Sequence, residues 1–179
     1  SYLLAFEGGR MEIMNSEVAY LGWMDGEPSG LAWRKRLVFA NPLSGATGGI
    51  FDSNIHDNYF GMYSFEAYKV DILRSEVHHN IYYGIDPHDD SRGFEVAFNK
   101  VYNNGKHGII FSRDCKENTI HHNEVYDNAN HGIMMDRGTN NNTIYDNIVY
   151  RNQDGISIFQ SSNNLIQNNY LYHNQRGVR

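Results

Sequence analysis

The sequence repeats itself every 22 to 24 residues from about residue 50 to its end. A glycine followed by an apolar residue marks each unit, and successive marker glycines lie 23, 24, 24, 23 and 22 residues apart. These glycines are Gly61, Gly84, Gly108, Gly132, Gly155 and Gly177. A period of this length indicates a solenoid, in which each unit buries its apolar face only against its neighbours.

Two apolar and two polar columns keep the same frame as the glycines. The first apolar column is Ile50, Ile72, Val96, Ile120, Ile144 and Ile166, and the second is Ile55, Val77, Val101, Val125, Val149 and Leu171. One polar column is Ser53, Ser75, Asn99, Asn123, Asn147 and Asn169, and the other is Asn58, Asn80, Asn104, Asn128, Asn152 and Asn174. Each unit therefore contains short β-branched stretches separated by small polar residues.

This pattern predicts an all-β fold, a right-handed parallel β-helix with coils of 22–24 residues. A leucine-rich repeat is the competing hypothesis, but leucine is sparse here, and asparagine and glycine oppose the helix such a repeat needs. Stacked coils lie roughly 4.8 Å apart, so equivalent side chains form ladders. We expect the asparagines to be structural: they tolerate left-handed backbone at a corner and hydrogen-bond the amide of the next coil.

The repeat also predicts the domain organisation, a single β-helix domain over 1–179. Val18 and Ile55 occupy equivalent positions but are 37 residues apart, so one coil carries an excursion, which we place around 33–47. A long loop of this kind often overhangs a groove. The sequence stops at Arg179 in mid-coil with neither a polar cap nor a terminal helix, and we therefore expect a fragment that lacks its end caps.

Composition excludes several classes of protein. The single cysteine, Cys115, rules out an internal disulfide framework. A net charge of -6 without a basic run argues against a nucleic-acid partner, and no apolar run approaches the roughly 18 residues of a membrane span.

Metal binding has little support in the sequence. The nine histidines show no zinc-ligand spacing with cysteine, so we predict no metal site. We expect the histidines away from the glycine columns to be surface or ladder residues: His78, His79, His121 and His122. A calcium-binding nonapeptide repeat is also absent, and we expect the scattered acids Asp127, Asp146 and Asp154 to be solvated.

The strongest departure from the repeat is the segment Tyr83–Asp90, YGIDPHDD. Strand alternation from an inward Ile85 sends Asp86 and His88 outward and Pro87 inward. Proline removes a ladder donor from a central strand, so core packing does not explain its presence here.

Equivalent positions of neighbouring coils extend this segment into rows on one face. The rows are Tyr63, Asp86, Ile110, Met134 and Ser157; Phe65, His88, Ser112, Asp136 and Phe159; Glu66, Asp89, Arg113, Arg137 and Gln160; and Phe60, Tyr83, His107, His131, Asp154 and Arg176. Such rows suit an extended polymer, with aromatic rings for sugar faces and arginine for carboxylates. An acidic polysaccharide is the predicted substrate.

The residue types on this face predict proton abstraction beside a carboxylate. His88 is the candidate general base, with Asp86 or Asp89 to orient it. Arg113 would neutralise the substrate carboxylate, and Tyr83 is a candidate proton donor. We predict catalytic roles for His88, Asp86, Tyr83 and Arg113; the predicted substrate-binding residues are Tyr63, Glu66, Asp89, Lys106, His107, His131, Asp136 and Arg137.

The string YGIDPH at Tyr83–His88 resembles the signature of mannuronan C-5 epimerases, which convert β-D-mannuronate to α-L-guluronate within alginate. The segment Lys106–Ile110 with Ser112 and Arg113 resembles the stretch after the signature in the periplasmic, single-domain bacterial type, and Tyr63, Glu66 and Ala67 resemble its preceding coil. The resemblance implies an isomerase with the same four catalytic residues. The loop from His88 to Arg113 is about one residue shorter than in that enzyme.

The resemblance also implies a setting for the protein. Its partner would be alginate or polymannuronate, its location periplasmic or secreted, and a polysaccharide-secretion complex is a further possible partner. No cofactor is required on this interpretation, and because no calcium-binding module is visible, the Ca²⁺ dependence of secreted relatives is not transferred.

Two other functions stay open at this point. A polyuronate lyase shares the first half of the reaction, removal of the C-5 proton, and differs only in the fate of the resulting carbanion. A non-catalytic carbohydrate-binding β-helix is the second alternative, but passive binding does not require a base.

Overall fold

The computed structural model describes residues 1–24, 30–35 and 45–179 as strands joined by turns and bends, wound into three parallel sheets. The eight strands of the first sheet are β1 (Leu3–Phe6), β4 (Gly30–Arg34), β7 (Phe60–Phe65), β10 (Ile85–His88), β13 (Ile109–Ser112), β16 (Ile133–Asp136), β19 (Asp154–Phe159) and β22 (Arg176–Val178).

The other two sheets have seven strands each. The second sheet contains β2 (Arg10–Met14), β5 (Thr47–Phe51), β8 (Val70–Leu73), β11 (Glu95–Ala97), β14 (Thr119–His121), β17 (Thr143–Tyr145) and β20 (Leu165–Gln167). The third contains β3 (Glu17–Ala19), β6 (Asn54–His56), β9 (Glu76–His78), β12 (Lys100–Tyr102), β15 (Glu124–Tyr126), β18 (Ile148–Tyr150) and β21 (Tyr170–Tyr172).

Strand register reproduces the columns of the sequence. Val96 pairs with Ile72 on one side and Ile120 on the other, and Val101 pairs likewise with Val77 and Val125. These side chains form the core that runs along the axis and are at most 1 % exposed. The predicted β-helix is confirmed, and the leucine-rich repeat is rejected because the described ranges contain no helix.

The predicted asparagine ladders are present, with one correction. The Asn99 amide N–H donates to Oδ1 of Asn123 at 3.1 Å, and Nδ2 of Asn123 donates to the Val96 carbonyl at 2.8 Å. The left-handed backbone lies on the residue before each asparagine, such as Phe98 at φ 59° and His122 at φ 52°. That residue turns the corner, and the following asparagine then directs its amide into the coil, where it is 1 % exposed.

The sequence analysis missed another asparagine ladder. Asn118 accepts a hydrogen bond from the Phe94 amide, and Asn142 and Asn164 continue the stack at the corner after the first sheet. Their regular spacing was visible in the sequence, but the glycine-based alignment did not include this column.

Marker glycines permit close stacking at or just before the start of the first-sheet strands from β7 onward. A Cβ on Gly84 would lie 2.5 Å from the Gly108 carbonyl oxygen and 3.0 Å from Cγ1 of Val101. The backbone of the next coil occupies this space, so any larger residue would push two coils apart.

The extra chain length between Val18 and Ile55 is divided between two connections. Trp33 and Arg34, at the start of the predicted excursion, belong to β4 and pair with β7. Extra residues lie at 20–29 before β4 and at 35–46 after it. Of the predicted excursion at 33–47, residues 36–44 lie outside the described residues, as do 25–29 of the first connection. Spacing alone yields the total excess but not its position.

We expect Asn123→Ala to lower the free energy of unfolding by about 1–3 kcal/mol, because the buried Asn99 amide would lose its acceptor. Urea denaturation of the variant measures this loss. Asn130→Ala, which truncates an asparagine outside the ladders, is the control and should unfold at the midpoint of the unaltered protein. Equal midpoints for both variants would show that the ladder contributes nothing.

Candidate active site

Three of the predicted catalytic residues lie on adjacent coils of the first sheet: Asp86 and His88 on β10, and Arg113 directly after β13. Asp86 pairs in register with Tyr63, and His88 pairs with Phe65 on one side and Ser112 on the other. Ile85 packs in the core, as strand alternation predicted. The predicted rows are therefore confirmed, and residues of β7, β10, β13 and β16 form one continuous surface.

His88, Asp89 and Arg113 form a chain of contacts at the end of β10. Nδ1 of His88 is hydrogen-bonded to Oδ2 of Asp89, and Nη1 of Arg113 lies 3.8 Å from the other oxygen of the same carboxylate. The Arg113 side chain is 52 % exposed and has room to bind a second carboxylate. Asp89 holds the proton of the imidazole on Nδ1, which leaves the Nε2 lone pair available as a base.

This geometry decides which carboxylate orients the base. The sequence allowed either Asp86 or Asp89, and the structure selects Asp89. It lies one residue beyond the strand, at a corner where its backbone is left-handed with φ 41°. Arg113 has the same conformation on the next coil, with φ 59°.

Burial governs the protonation of His88. It lowers the pKa of the imidazole below its ordinary value of 6.5; Asp89 opposes this effect, whereas the charges of Arg113 and Arg137 add to it. The imidazole is therefore neutral at neutral pH, as a general base must be.

Asp86 lies beneath the same surface and is 1 % exposed. Its Oδ1 has no hydrogen-bond partner in the described part of the chain. Burial, reinforced by the charge of Asp89, raises the pKa of this carboxyl well above its usual range, while Arg137 and Arg113 oppose the shift in part. Asp86 therefore favours its neutral, protonated form.

Tyr83 begins a stack of rings in the column before the marker glycines. Its ring lies 5.1 Å from that of His107, which lies 4.8 Å from that of His131. The His131 amide donates to Nδ1 of His107 at 3.2 Å. Burial, with the charges of His131 and Lys106, lowers the pKa of His107 to about 3, so this imidazole is neutral. Burial also raises the pKa of Tyr83, with Tyr82 and Asp86 adding to the shift.

The same column also contains an acid, Asp154, that the sequence analysis expected to be solvated. Asp154 is 0 % exposed and is bonded to Arg176, its neighbour in register on β22. Its Oδ2 lies 3.1 Å from Nδ1 of His131, without the alignment of a hydrogen bond. The expectation for Asp154 was wrong because coil stacking places a basic side chain next to its carboxylate on each side, His131 on one coil and Arg176 on the other.

Asp136 and Arg137 lie on the next coil beyond Arg113. Oδ2 of Asp136 accepts hydrogen bonds from Ser112 Oγ at 2.9 Å and Arg137 Nε at 2.6 Å, and Nη2 of Arg137 donates to Ser112 Oγ at 3.0 Å. The guanidinium of Arg137 remains 47 % exposed and lines a cavity of about 370 Å³ with Phe159. Asp136 therefore orients Arg137 toward the continuous surface formed by residues of β7, β10, β13 and β16, which we call the groove.

On the other side of His88, β4 and the residue that follows it add two cations that the sequence analysis did not select. The guanidinium carbon of Arg34 lies 5.6 Å from the centre of the Tyr63 ring. Nζ of Lys35 lies 3.3 Å from Oε2 of Glu66. Tyr63 in turn contacts His88, with ring centres 5.8 Å apart. The register between β4 and β7 places these cations at the groove, and the repeat frame was lost in this region of the sequence.

Lys106 contacts a tyrosine that was also overlooked. Its ammonium is hydrogen-bonded to the Tyr82 hydroxyl and lies 4.1 Å from the Tyr82 ring centre. The bond from Lys106 lowers the pKa of Tyr82, although burial opposes the shift.

The histidines of the other two sheets form ladders, as expected. His78 stacks on Tyr102 and His121 on Tyr145, each with ring centres 4.7 Å apart. Within residues 1–24, 30–35 and 45–179, no three His, Cys, Asp or Glu side chains gather as a ligand set for a metal ion. In the same ranges no helix has the length and apolar character needed to cross a bilayer.

Comparison with known proteins identifies the class. The family model "Right handed beta helix region" matches residues 42–179, so the chain belongs to this family of right-handed β-helix proteins. The crystal structure of the periplasmic alginate epimerase AlgG superimposes on 99 % of the chain with a TM-score of 0.93 and 33 % sequence identity. The chain covers 43 % of that protein.

Two relatives of known sequence extend this similarity. The chain is 38 % identical over 108 residues to "Mannuronan C5-epimerase AlgG" of Azotobacter vinelandii and 36 % identical over 103 residues to the mannuronan C5-epimerase of Pseudomonas fluorescens. Each match covers 56 % of this chain and 20 % of the relative, so the matched segment spans about a fifth of the relatives' length. The resemblance indicated by YGIDPH is confirmed.

We expect NMR titration of the His88 imidazole to show the Nδ1–H tautomer and a pKa below 6.5. In Asp89→Asn the pKa should fall further, because the carboxylate that raises it is lost. Asp90→Asn, the adjacent acid paired with Arg92, is the control and should leave the titration unchanged. A higher pKa in Asp89→Asn would contradict this assignment.

Proposed function

We propose that the protein is a mannuronan C5-epimerase that converts β-D-mannuronate to α-L-guluronate within alginate. The contact chain of His88, Asp89 and Arg113 carries this proposal, because it presents a neutral base beside an exposed guanidinium on a groove several coils long. Similarity to the alginate epimerase AlgG supports the same substrate and reaction.

Proton abstraction uses the two ends of this contact chain. The Arg113 guanidinium pairs with the uronate carboxylate and neutralises it, which stabilises the charge that develops when the C-5 proton leaves. Nε2 of His88 accepts this proton while Asp89 holds the imidazole by Nδ1. The positive imidazolium that results is stabilised by the Asp89 carboxylate.

Reprotonation from the opposite face completes the epimerisation. Tyr83 is the proton donor in this proposal, since its raised pKa keeps the phenol protonated until carbanion character develops at C-5. Asp86 retains its proton beneath the same face and donates a hydrogen bond toward the reacting sugar.

The remaining groove residues bind the neighbouring sugars. Arg137 pairs with a uronate carboxylate one coil beyond Arg113, and Asp136 positions it. Tyr63 offers an aromatic contact, and Lys106 supplies a further cation. The other groove residues in this proposal are Glu66, His107 and His131, while Asp89 acts through His88.

The setting of the protein follows from its substrate. We place the protein in the periplasm, because the structurally similar AlgG is described as a periplasmic enzyme. We also propose a polysaccharide-secretion complex as its partner. The reaction as written uses side chains alone, so we propose that it requires no cofactor and no Ca²⁺.

Proton NMR of polymannuronate incubated with the protein tests this function, with a chelator added to a parallel sample. We expect guluronate signals without olefinic protons in both samples. His88→Ala and Arg113→Ala should each abolish guluronate formation, a loss on the order of 10²-fold or more for the missing base. Circular dichroism of both variants should retain the β-helix signal.

A control and two contrary outcomes define this test. His78→Ala removes a ladder histidine outside the groove and should leave turnover unchanged. Olefinic protons would assign a lyase in place of an epimerase. Full activity in a folded His88→Ala would reject the base, and absence of any reaction in the unaltered protein would leave carbohydrate binding as its function.

The pH profile should follow the two reacting groups. His88 must be neutral, and because burial lowers its pKa, the acid limb of kcat/KM should lie below pH 6.5. Tyr83 must be protonated, and its raised pKa places the basic limb above pH 10, the ordinary value for a phenol. An acid limb above pH 7 in a profile of rate against pH would contradict the role of His88.

A further inference from the structure

Tyr82 and Lys106 form a pair beside Tyr83 that the proposed reaction leaves without a catalytic step. Both residues lie in the turns just before strands of the first sheet, and the Lys106 amide donates to the Tyr82 carbonyl at 2.8 Å. The Lys106 ammonium is bonded to the Tyr82 hydroxyl. Both side chains are partly exposed, so solvent reaches this end of the pair.

Tyr82 also contacts Tyr83 directly. Their ring centres are 4.4 Å apart, and the Lys106 ammonium lies 5.9 Å from the Tyr83 ring centre. Tyr59 and Phe60 pack against Tyr82 on its other side, at 5.8 Å and 5.4 Å between ring centres. This packing holds Tyr82 between Lys106 and Tyr83.

The proposed reaction creates a need that this pair can meet. Each turnover leaves Tyr83 as a phenolate, enclosed between Phe60 and His107 at 5.7 Å and 5.1 Å. His107 is neutral, and its Nδ1 is occupied by the His131 amide, so it is a poor acid. His107 therefore does not supply the proton that resets Tyr83, whereas Tyr82 is an ionisable neighbour in direct contact with it.

We propose that Tyr82 and Lys106 are a proton relay that returns a proton from solvent to Tyr83 after each turnover, an inference that rests on the proposed epimerase function. The Tyr83 O–H bond breaks as the C-5–H bond forms, which leaves a phenolate on Tyr83. Tyr82 then gives its hydroxyl proton to Tyr83, and the new Tyr82 phenolate is paired with the Lys106 ammonium. Water reprotonates Tyr82, while His88 releases the abstracted proton to solvent.

The electrostatic environment sets the direction of this transfer. Lys106 lowers the pKa of Tyr82, whereas burial, Tyr82, Asp86 and Asp136 raise the pKa of Tyr83. The proton therefore moves from Tyr82 to Tyr83. The reverse transfer would place a phenolate in the more buried position, away from the ammonium.

Rapid-quench kinetics of Tyr82→Phe test the relay, because this substitution keeps the ring and removes the proton. The resting variant still carries a protonated Tyr83, so the first epimerisation should proceed at the rate of the unaltered protein. The expected result is a burst of one guluronate per protein molecule, followed by a steady-state rate lower by about 10²-fold.

Product partition provides an independent readout. When the next C-5 proton leaves before Tyr83 is reset, the carbanion has no acid on the opposite face and expels the O-4 substituent. Tyr82→Phe should therefore produce more unsaturated ends per guluronate than the unaltered protein, measured by olefinic proton signals. A purely structural role would lower both products in proportion.

Matched variants separate the relay from packing. Lys106 is also a proposed sugar contact, so its variants are compared at saturating polymannuronate: there Lys106→Met should show the lowered steady state after one turnover, and Lys106→Arg, which keeps a cation, should restore the steady state in large part. Added imidazole buffer should accelerate the steady state of Tyr82→Phe but not of the unaltered protein, because it supplies protons directly. Tyr59→Phe removes a phenol on the other side of Tyr82 and should behave as the unaltered protein.

The outcomes distinguish failure of the relay from failure of the proposed function. Suppose that the unaltered protein forms guluronate. If the first turnover and the steady state of Tyr82→Phe are then both unchanged, or are both slowed by the same factor, the relay is wrong and the epimerase function stands. If the unaltered protein forms no guluronate, the proposed function is wrong and the relay with it.

Discussion

Parallel stacking of coils at one strand spacing is the constraint on which the rest of this structure depends. Backbone hydrogen bonds within the sheets set the spacing, and asparagine amides continue it through the corners, where an isolated turn would leave buried donors unpaired. The marker glycines allow this spacing where backbones meet most closely. Every residue that departs from the repeat consequently has a fixed position along the β-helix axis and lies on a fixed face.

The candidate site uses this regularity. His88 and Arg113 are 25 positions apart in sequence, yet they lie on adjacent coils because His88 is in register with Ser112. Left-handed corner residues allow Asp89 and Arg113 to follow directly after their strands. Stacking also buries several ionisable groups, so desolvation contributes most to the shifted pKa values of His88, Asp86 and Tyr83. The same packing that holds the fold together therefore sets the acid and base properties of the proposed epimerase.

Much of this site was predictable because a β-helix converts columns of sequence into rows in space. The face that carries His88 and Arg113 followed from position within the repeat, and the similarity to mannuronan epimerases followed from the motif YGIDPH. Three features did not: the choice of Asp89 over Asp86, the full burial of Asp154, and the bond between Lys106 and Tyr82. The first depends on the left-handed corner at Asp89, where alternation no longer applies. The other two depend on contacts between neighbouring coils, those of Asp154 with His131 and Arg176 and that of Lys106 with Tyr82.

The sequence by itself determined the solenoid, its period, its core and the identity of the chemical groups on one face, because the period-two alternation of strands and the repeat length leave one way to bury the apolar columns. Only the tertiary structure decided how those groups are paired and protonated. The division of the extra segment around β4, which brings Arg34 and Lys35 to the groove, also appeared only there. Pairing and pKa depend on distances of a few ångströms and on burial between coils, and a pattern along one chain carries neither quantity.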